Sequence, residues 1–464
     1  MKRPTAITAG ILLFLLPLFI PIEGLAPAAA ITLGLFLCAG LFWVFEPIPI
    51  YATSLLVIGG QLLFMSKDSP LVLANAWPYP VAQAPSSASF MATLSNPVII
   101  LFLGGFMLAA GASKYSVEKG ITRLVLAPFG SSPAQILLGF MFATALLSAF
   151  MSNTATTVMM IAAIGPIVAT LKPDDRYRTA LALSIPVASN IGGIATPIGT
   201  PPNAIAIGAL AEQGHHISFS SWMLFAAPLT LVSLAIAWWA LLKLFPTNEK
   251  KINLNLSGHF DRSPAAIPFY LIGGITILLW ITEALHKIPS TLTAFIPIAL
   301  FPAFGIVGKK EIREISWEVL WLVAGGIALG NSLQNTGLAA WMISLVSWNT
   351  LGVTAVLASF IVLGILFSNF LSNTVTAALF VPIAISLGTS GVLGSTASIV
   401  FVSIAISIAV SFGMSLPIST PPNAIASATG LVTTPQMARI GVIMAIAGFI
   451  VTFLFAFYLW PAIF

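Results

Sequence analysis

One stretch of this chain rules out most folds. From Val319 to Ala438, 120 consecutive residues contain no Asp, Glu, Lys, Arg or His. No soluble core needs so long a run, whereas several membrane spans of about 20 apolar residues each explain it. Three further charge-free stretches run from Ser69 to Ser113, Leu124 to Leu171 and Thr179 to Ala211. Only 7% of the 464 residues are charged, against about a quarter in soluble proteins, so the solvent of this chain is the lipid bilayer. The one cysteine, Cys38, sits in an apolar run, which excludes a disulfide framework and argues against a thiolate metal site.

Cutting the chain at charges and at Pro, Gly and Ser clusters predicts an all-α polytopic protein. Its apolar segments fall at roughly 5–22, 28–48, 50–65, 97–113, 134–151, 155–171, 179–211, 221–244, 266–284, 290–307, 318–333, 352–371, 374–388, 393–429 and 436–463. Lys2 and Arg3 before the first run would also suit a cleaved signal peptide, but with so many spans following it reads as a first transmembrane helix. If 134–171 is a hairpin whose ends return to one face, 16 of the 18 Lys and Arg residues collect on the cytoplasmic side, and only Lys67 and Lys287 fall outside. That bias sets the N-terminus inside and the C-terminus outside. It also explains the basic balance without nucleic acid as a partner. Residues Lys114 to Gly130 read as an amphipathic helix on the inner surface, and Thr247 to Ser263 as a polar linker between two halves.

The halves resemble each other. Leu103-Gly104-Gly105 matches Ala324-Gly325-Gly326 at offset 221; Ser152-Asn153-Thr154 matches Ser372-Asn373-Thr374 at offset 220; and Thr200-Pro201-Pro202-Asn203-Ala204-Ile205-Ala206 matches Thr420-Pro421-Pro422-Asn423-Ala424-Ile425-Ala426, again at offset 220. Five crossings separate the two Ser-Asn-Thr tips, and an odd number inverts the second copy. The expected domains are a first helix over 1–26, repeat 1 over 27–245, a linker over 246–265 and repeat 2 over 266–464. Repeat 1 contains an inner hairpin (134–171) and a broken helix (179–211); repeat 2 contains an outer hairpin (352–388) and a broken helix (393–429). Inverted repeats with discontinuous helices are the architecture of secondary transporters.

The motifs carry chemistry. Thr-Pro-Pro-Asn inside an apolar segment is a helix restart, with Thr as N-cap and proline in the first turn. The unwound residues before it, Thr196 to Thr200 and Leu416 to Thr420, put backbone carbonyls at membrane depth, which is tolerated around a polar cavity or an ion. Oxygen ligands suit Na+, and half-helix N-termini suit an anion. No Asp, Lys, Arg or His accompanies a repeated motif, so hydrolase and metalloprotease chemistry has no residues to use and the chain is not expected to be an enzyme. The binding site is expected to be neutral, and co-bound cations are then required to hold a dianion.

Paired Ser-Asn-Thr tips, each followed about 45 residues later by Pro-x-x-Thr-Pro-Pro-Asn, resemble the divalent anion/sodium symporter family, particularly its INDY-like dicarboxylate carriers. The resemblance covers nearly the whole chain. It implies about eleven transmembrane helices, two re-entrant hairpins, a homodimer in a bacterial inner membrane, and a transport domain moving as an elevator against a central scaffold. It also implies co-transported Na+ at two sites: Ser148, Ser152, Asn153 and the Gly199 carbonyl, then Ser368, Asn373 and carbonyls near Leu371 and Ser419. The dicarboxylate (succinate, malate or fumarate) would meet Asn153, Thr154, Thr200, Asn373, Thr374, Thr420 and Pro421. Ser368 stands where the family pattern has threonine, a change that keeps the hydroxyl. Exchangers in the family generally depart from Thr-Pro-Pro-Asn, so both intact copies favour symport. A sulfate or citrate carrier, a dicarboxylate exchanger, and a channel or solute sensor are the alternatives.

Overall fold

The computed structural model describes residues 3–69, 84–252, 259–345, 352–389 and 396–463. Lys2, residues 253–258 of the expected linker and 393–395 of the second broken segment lie outside the described residues. Among those described the chain is helical, with no strand. The first half runs α1 (Arg3–Phe19), α2 (Pro27–Phe45), α3 (Ile50–Met65), α4 (Pro97–Lys114), α5 (Val117–Leu126), α6 (Pro133–Ser148), α7 (Asn153–Thr170), α8 (Tyr177–Gly192), α9 (Pro201–Ala211) and α10 (Phe219–Leu244). The second runs α11 (Ile267–Ile281), α12 (Phe295–Ala303), α13 (Trp317–Asn335), α14 (Leu338–Ser344), α15 (Gly352–Ser368), α16 (Asn373–Thr389), α17 (Thr396–Ala409), α18 (Pro421–Ala428) and α19 (Thr434–Leu454).

Local chemistry sets these boundaries. Asn96, Ser132, Ser152 and Ser218 each cap a helix by accepting a backbone N–H, and Pro97 and Pro133 follow two of them in the first turn, where a missing N–H costs nothing. Among the described residues five stretches are long and apolar enough to cross a membrane: Pro27–Phe45, Ser87–Lys114, Asn153–Thr170, Phe219–Leu244 and Thr434–Ala462. Shorter apolar helices fill most of the remainder. Leu271, Ile275 and Leu278 form a stripe along α11 exposed by 52–60%, a face for lipid rather than water. In contrast, every residue of α8 except Arg178 is buried, so α8 is the axis around which the site is built.

The duplicated Gly-Gly pair turns out to be packing. A Cβ on Gly104 would come 2.8 Å from Ala294 Cβ, and one on Gly325 only 2.3 Å from Ser54 Cβ. These are close helix crossings that only small residues permit. The α3–α13 crossing is further pinned by Gln61, whose Nε2 donates to Ala328 O at 2.9 Å and Ser332 Oγ at 2.8 Å. The expected amphipathic helix is present as α5, and its buried side holds Val117, Gly120 and Leu126 but also Glu118, while Leu124 faces outward at 65% exposure.

Candidate functional site

Both broken helices are held open by the asparagine of their own restart motif. After α8 the chain makes a short 3-10 turn over Gly193–Ala195, runs irregularly, and resumes as α9. Asn203 Nδ2 folds back to donate to Gly193 O at 3.0 Å and Thr196 O at 2.8 Å. In the second half Asn423 Nδ2 donates to Met414 O at 2.7 Å and Leu416 O at 3.0 Å. Carbonyls freed by the break are thereby satisfied, as a buried backbone in lipid requires. This changes the expectation that the unwound carbonyls serve ions in general, because part of them are committed to asparagine. The N-caps differ as well. Thr420 accepts a hydrogen bond from Asn423 N, whereas Thr200, expected to act likewise, makes no cap hydrogen bond.

The hairpin tips lie beside these breaks. Ser152 Oγ accepts from Ala155 N and Ser372 Oγ from Val375 N, both at 3.2 Å, which starts α7 and α16 at the two asparagines. Behind the first tip, Ser148 Oγ lies 2.5 Å from Asn153 Oδ1, 2.8 Å from Ser189 O and 3.1 Å from Ser189 Oγ. Ser189 Oγ in turn donates to Asn153 O at 3.0 Å. The point where a Gly193 Cβ would sit is 2.8 Å from Asn153 Oδ1 and 3.0 Å from Gly199 O. The same point is 3.2 Å from Asn153 Nδ2. Six oxygens gather around this tip with two hydroxyl protons among them. An oxygen-rich pocket of neutral groups suits a hard cation.

The second tip repeats the arrangement with changed details. Ser368 Oγ donates toward Asn373 Oδ1 and Val410 O, each at 2.6 Å, and has one proton for the two. A Cβ on Gly413 would meet Ser368 Oγ at 2.8 Å. Ser419 is occupied through its hydroxyl, which donates to Asn369 O at 2.9 Å. In the first half the corresponding carbonyl, Ala149 O, accepts from Thr196, since Gly199 stands at the place of Ser419.

One cavity of about 690 Å3 collects the motifs of both halves. Asn153, Thr154, Thr200, Asn373, Thr374, Thr420 and Pro421 all line it, together with Ser152, Gly199 and Ser419. Ser148 and Ser368 are fully buried behind the tips, and Leu371 is buried outside the lining. The N-termini of α7, α9, α16 and α18 therefore point to one space, each carrying about half a positive charge. With Oδ1 turned back to its serine, each tip asparagine has Nδ2 left to donate into the cavity.

Sequence reasoning missed several residues. Ser189 and Asn190 serve the site from within α8, but a lone serine or asparagine in an apolar helix gives no signal of its own. More consequentially, Glu314 and Glu318 also line the cavity. A site without charged groups is thus corrected to a neutral core with two carboxylates in its wall, brought there by the segment before α13 and by its first turn. The cavity shares Phe106, Ser152, Ala155, Glu314 and Ser316 with a second hollow, whose rim carries Lys114 and Lys310.

A greasy chain, helical through its described residues, with polar hairpin tips and broken helices meeting at one cavity, is a membrane transporter. Residues 2–464 match the family described as the sodium:sulfate symporter transmembrane region, and the chain belongs to that family of sodium-coupled symporters, not to a family of enzymes. It is similar to the sodium-dependent dicarboxylate transporter SdcS of Staphylococcus aureus strain MRSA252, with 31% identity over 98% of this chain and 90% of the relative. The SdcS of the bovine strain RF122/ET3-1 is also 31% identical, over 97% of this chain and 89% of its own length.

Proposed function

We propose that this chain imports C4-dicarboxylates such as succinate, malate and fumarate across a bacterial inner membrane by Na+ symport. The observation that carries the reading is that both Ser-Asn-Thr tips and both Thr-Pro-Pro turns line one cavity, with an oxygen-rich pocket behind each tip. In this reading Na+ is held at the first tip by Ser148, Ser152, Asn153 and the Gly199 carbonyl. The second Na+ is held by Ser368, Asn373 and carbonyls near Leu371 and Ser419. One carboxylate of the substrate meets Asn153, Thr154 and Thr200; the other meets Asn373, Thr374, Thr420 and Pro421. The dianion alone is opposed by Glu314 and Glu318, and bound Na+ together with four helix N-termini reverses that balance.

The two halves act as inverted repeats joined by the polar linker, with the tips carried on one transport unit that slides past a dimerising scaffold. With Lys114 and Lys310 on the cytoplasmic side, the hollow they rim supports reading the arrangement as inward-open. Reconstituted protein should show saturable succinate counterflow that requires Na+. Equal flux with choline in place of Na+ argues for exchange or facilitated diffusion, and absence of counterflow argues for a channel or a sensor. A sulfate or citrate carrier would show in a competition panel at fixed Na+, with sulfate or citrate displacing succinate at lower concentration than fumarate does.

A further inference from the structure

The two half-sites are alike in sequence and unlike in the bonds behind them. Thr420 Oγ1 accepts from Asn423 N at 3.3 Å and from Asn190 Nδ2 at 3.2 Å. A hydroxyl has two lone pairs and one proton. With both lone pairs engaged, the proton is left to donate into the cavity that Thr420 lines. Thr200 occupies the same place in the first motif with the same extended backbone, yet it makes no cap hydrogen bond.

One residue supplies the second of these bonds. Asn190 belongs to α8 of the first half and reaches across to the second motif. At the corresponding positions of the second half stand Val410, at offset 220, and Ser411, at offset 221, and neither has an amide to return the contact. Ser411 Oγ is buried without a hydrogen-bond partner. The amide of Asn190 is also fixed in orientation. Because Asn423 Nδ2 is spent on Met414 O and Leu416 O, its Oδ1 faces Asn190. Only Nδ2 of Asn190 can meet that oxygen, and it does so at 3.4 Å.

We infer that Asn190 is a positioning residue for the substrate: it locks the Thr420 hydroxyl as a fixed donor to one carboxylate, whereas Thr200 rotates to suit the other. This rests on the proposed contact between Thr420 and substrate. One end of the dianion is then read by a rigid donor and the other by an adaptable hydroxyl, which lets a single site take four-carbon diacids whose carboxylates diverge at different angles. A donor locked beforehand lowers the ordering cost of binding, so its loss appears in KM and not in the maximal rate.

The test is succinate uptake by the full-length protein in proteoliposomes at saturating Na+, for Asn190→Ala, Asn190→Ser, Thr420→Ala and the Asn190→Ala/Thr420→Ala pair. Each single change should raise KM about tenfold, with the maximal rate unchanged. The pair should be no worse than Thr420→Ala, because Asn190 then has no hydroxyl to hold. Asn190→Ser keeps a small polar side chain too short to reach Thr420, and it carries the test if the alanine variant does not fold. A normal KM in Asn190→Ser beside a raised KM in Thr420→Ala overturns the inference. So does a double variant whose effects multiply. A normal KM in Thr420→Ala sinks the underlying contact between Thr420 and substrate, and the inference with it.

Discussion

In the proposed function Asn153 and Asn373 each divide one amide between two tasks. Their Oδ1 atoms face Ser148 and Ser368 in the oxygen-rich pockets, and their Nδ2 groups are left for an anion in the cavity. Losing a hydrogen bond to a charged group costs roughly 1.5–3 kcal/mol. Asn153→Ala and Asn373→Ala should therefore each depress succinate transport at least tenfold and raise the Na+ needed for half-maximal rate, while the protein stays monodisperse in detergent. Normal Na+ dependence in either variant would make that tip packing. These residues were legible in the sequence because they come twice, at one offset, in a chain otherwise poor in polar groups. Ser189 and Asn190 come once each, and what gives them a role is the fold of α8 against the tips. Glu314 and Glu318 were visible as charges before an apolar run, but nothing in their spacing said that the run leads past the cavity.

At the scale of elements, the breaks in the two long segments are stable because an asparagine ten residues on, or nine, closes them. Asn203→Ala leaves Gly193 O and Thr196 O buried without that donor, and stability should fall by roughly 1–3 kcal/mol. Thermal unfolding in detergent would record it; an unchanged melting temperature would mean the break holds without its clamp. The segment boundaries were predictable within a few residues, since prolines and capping hydroxyls mark them. The inside of α5 was not. There Glu118 is 8% exposed, its Oε2 has no partner, and burial raises its pKa above the ordinary carboxylate range. Between the ordinary and the raised value the folded state holds more protons than the unfolded one, so stability falls as pH rises through that window. Glu118→Gln should raise the melting temperature at about pH 7 and lose that advantage near about pH 4, below the unfolded carboxylate value. A gain that is the same at both would remove titration of Glu118 as the cause.

For the whole molecule, membrane class and family were readable from charge-free stretches and duplicated motifs. The glutamates in the cavity wall were not, because they reach it only through the fold that sets the start of α13 against both tips. The elevator reading predicts that engineered cysteine pairs between tip and scaffold positions, in a Cys38-free background, will crosslink in both inward and outward combinations, each blocking transport. Pairs that close only over a small displacement would favour a local gate. The central claim is that a cavity walled by two glutamates binds a dianion because Na+ binds with it. By linkage, each ligand must then tighten the other by the same factor. Calorimetric titration of purified protein with succinate at stepped Na+ concentrations, with choline holding ionic strength constant, measures this directly. Affinity for succinate should rise steeply with Na+ and be lost in choline alone. Equal affinity in Na+ and choline would contradict the account.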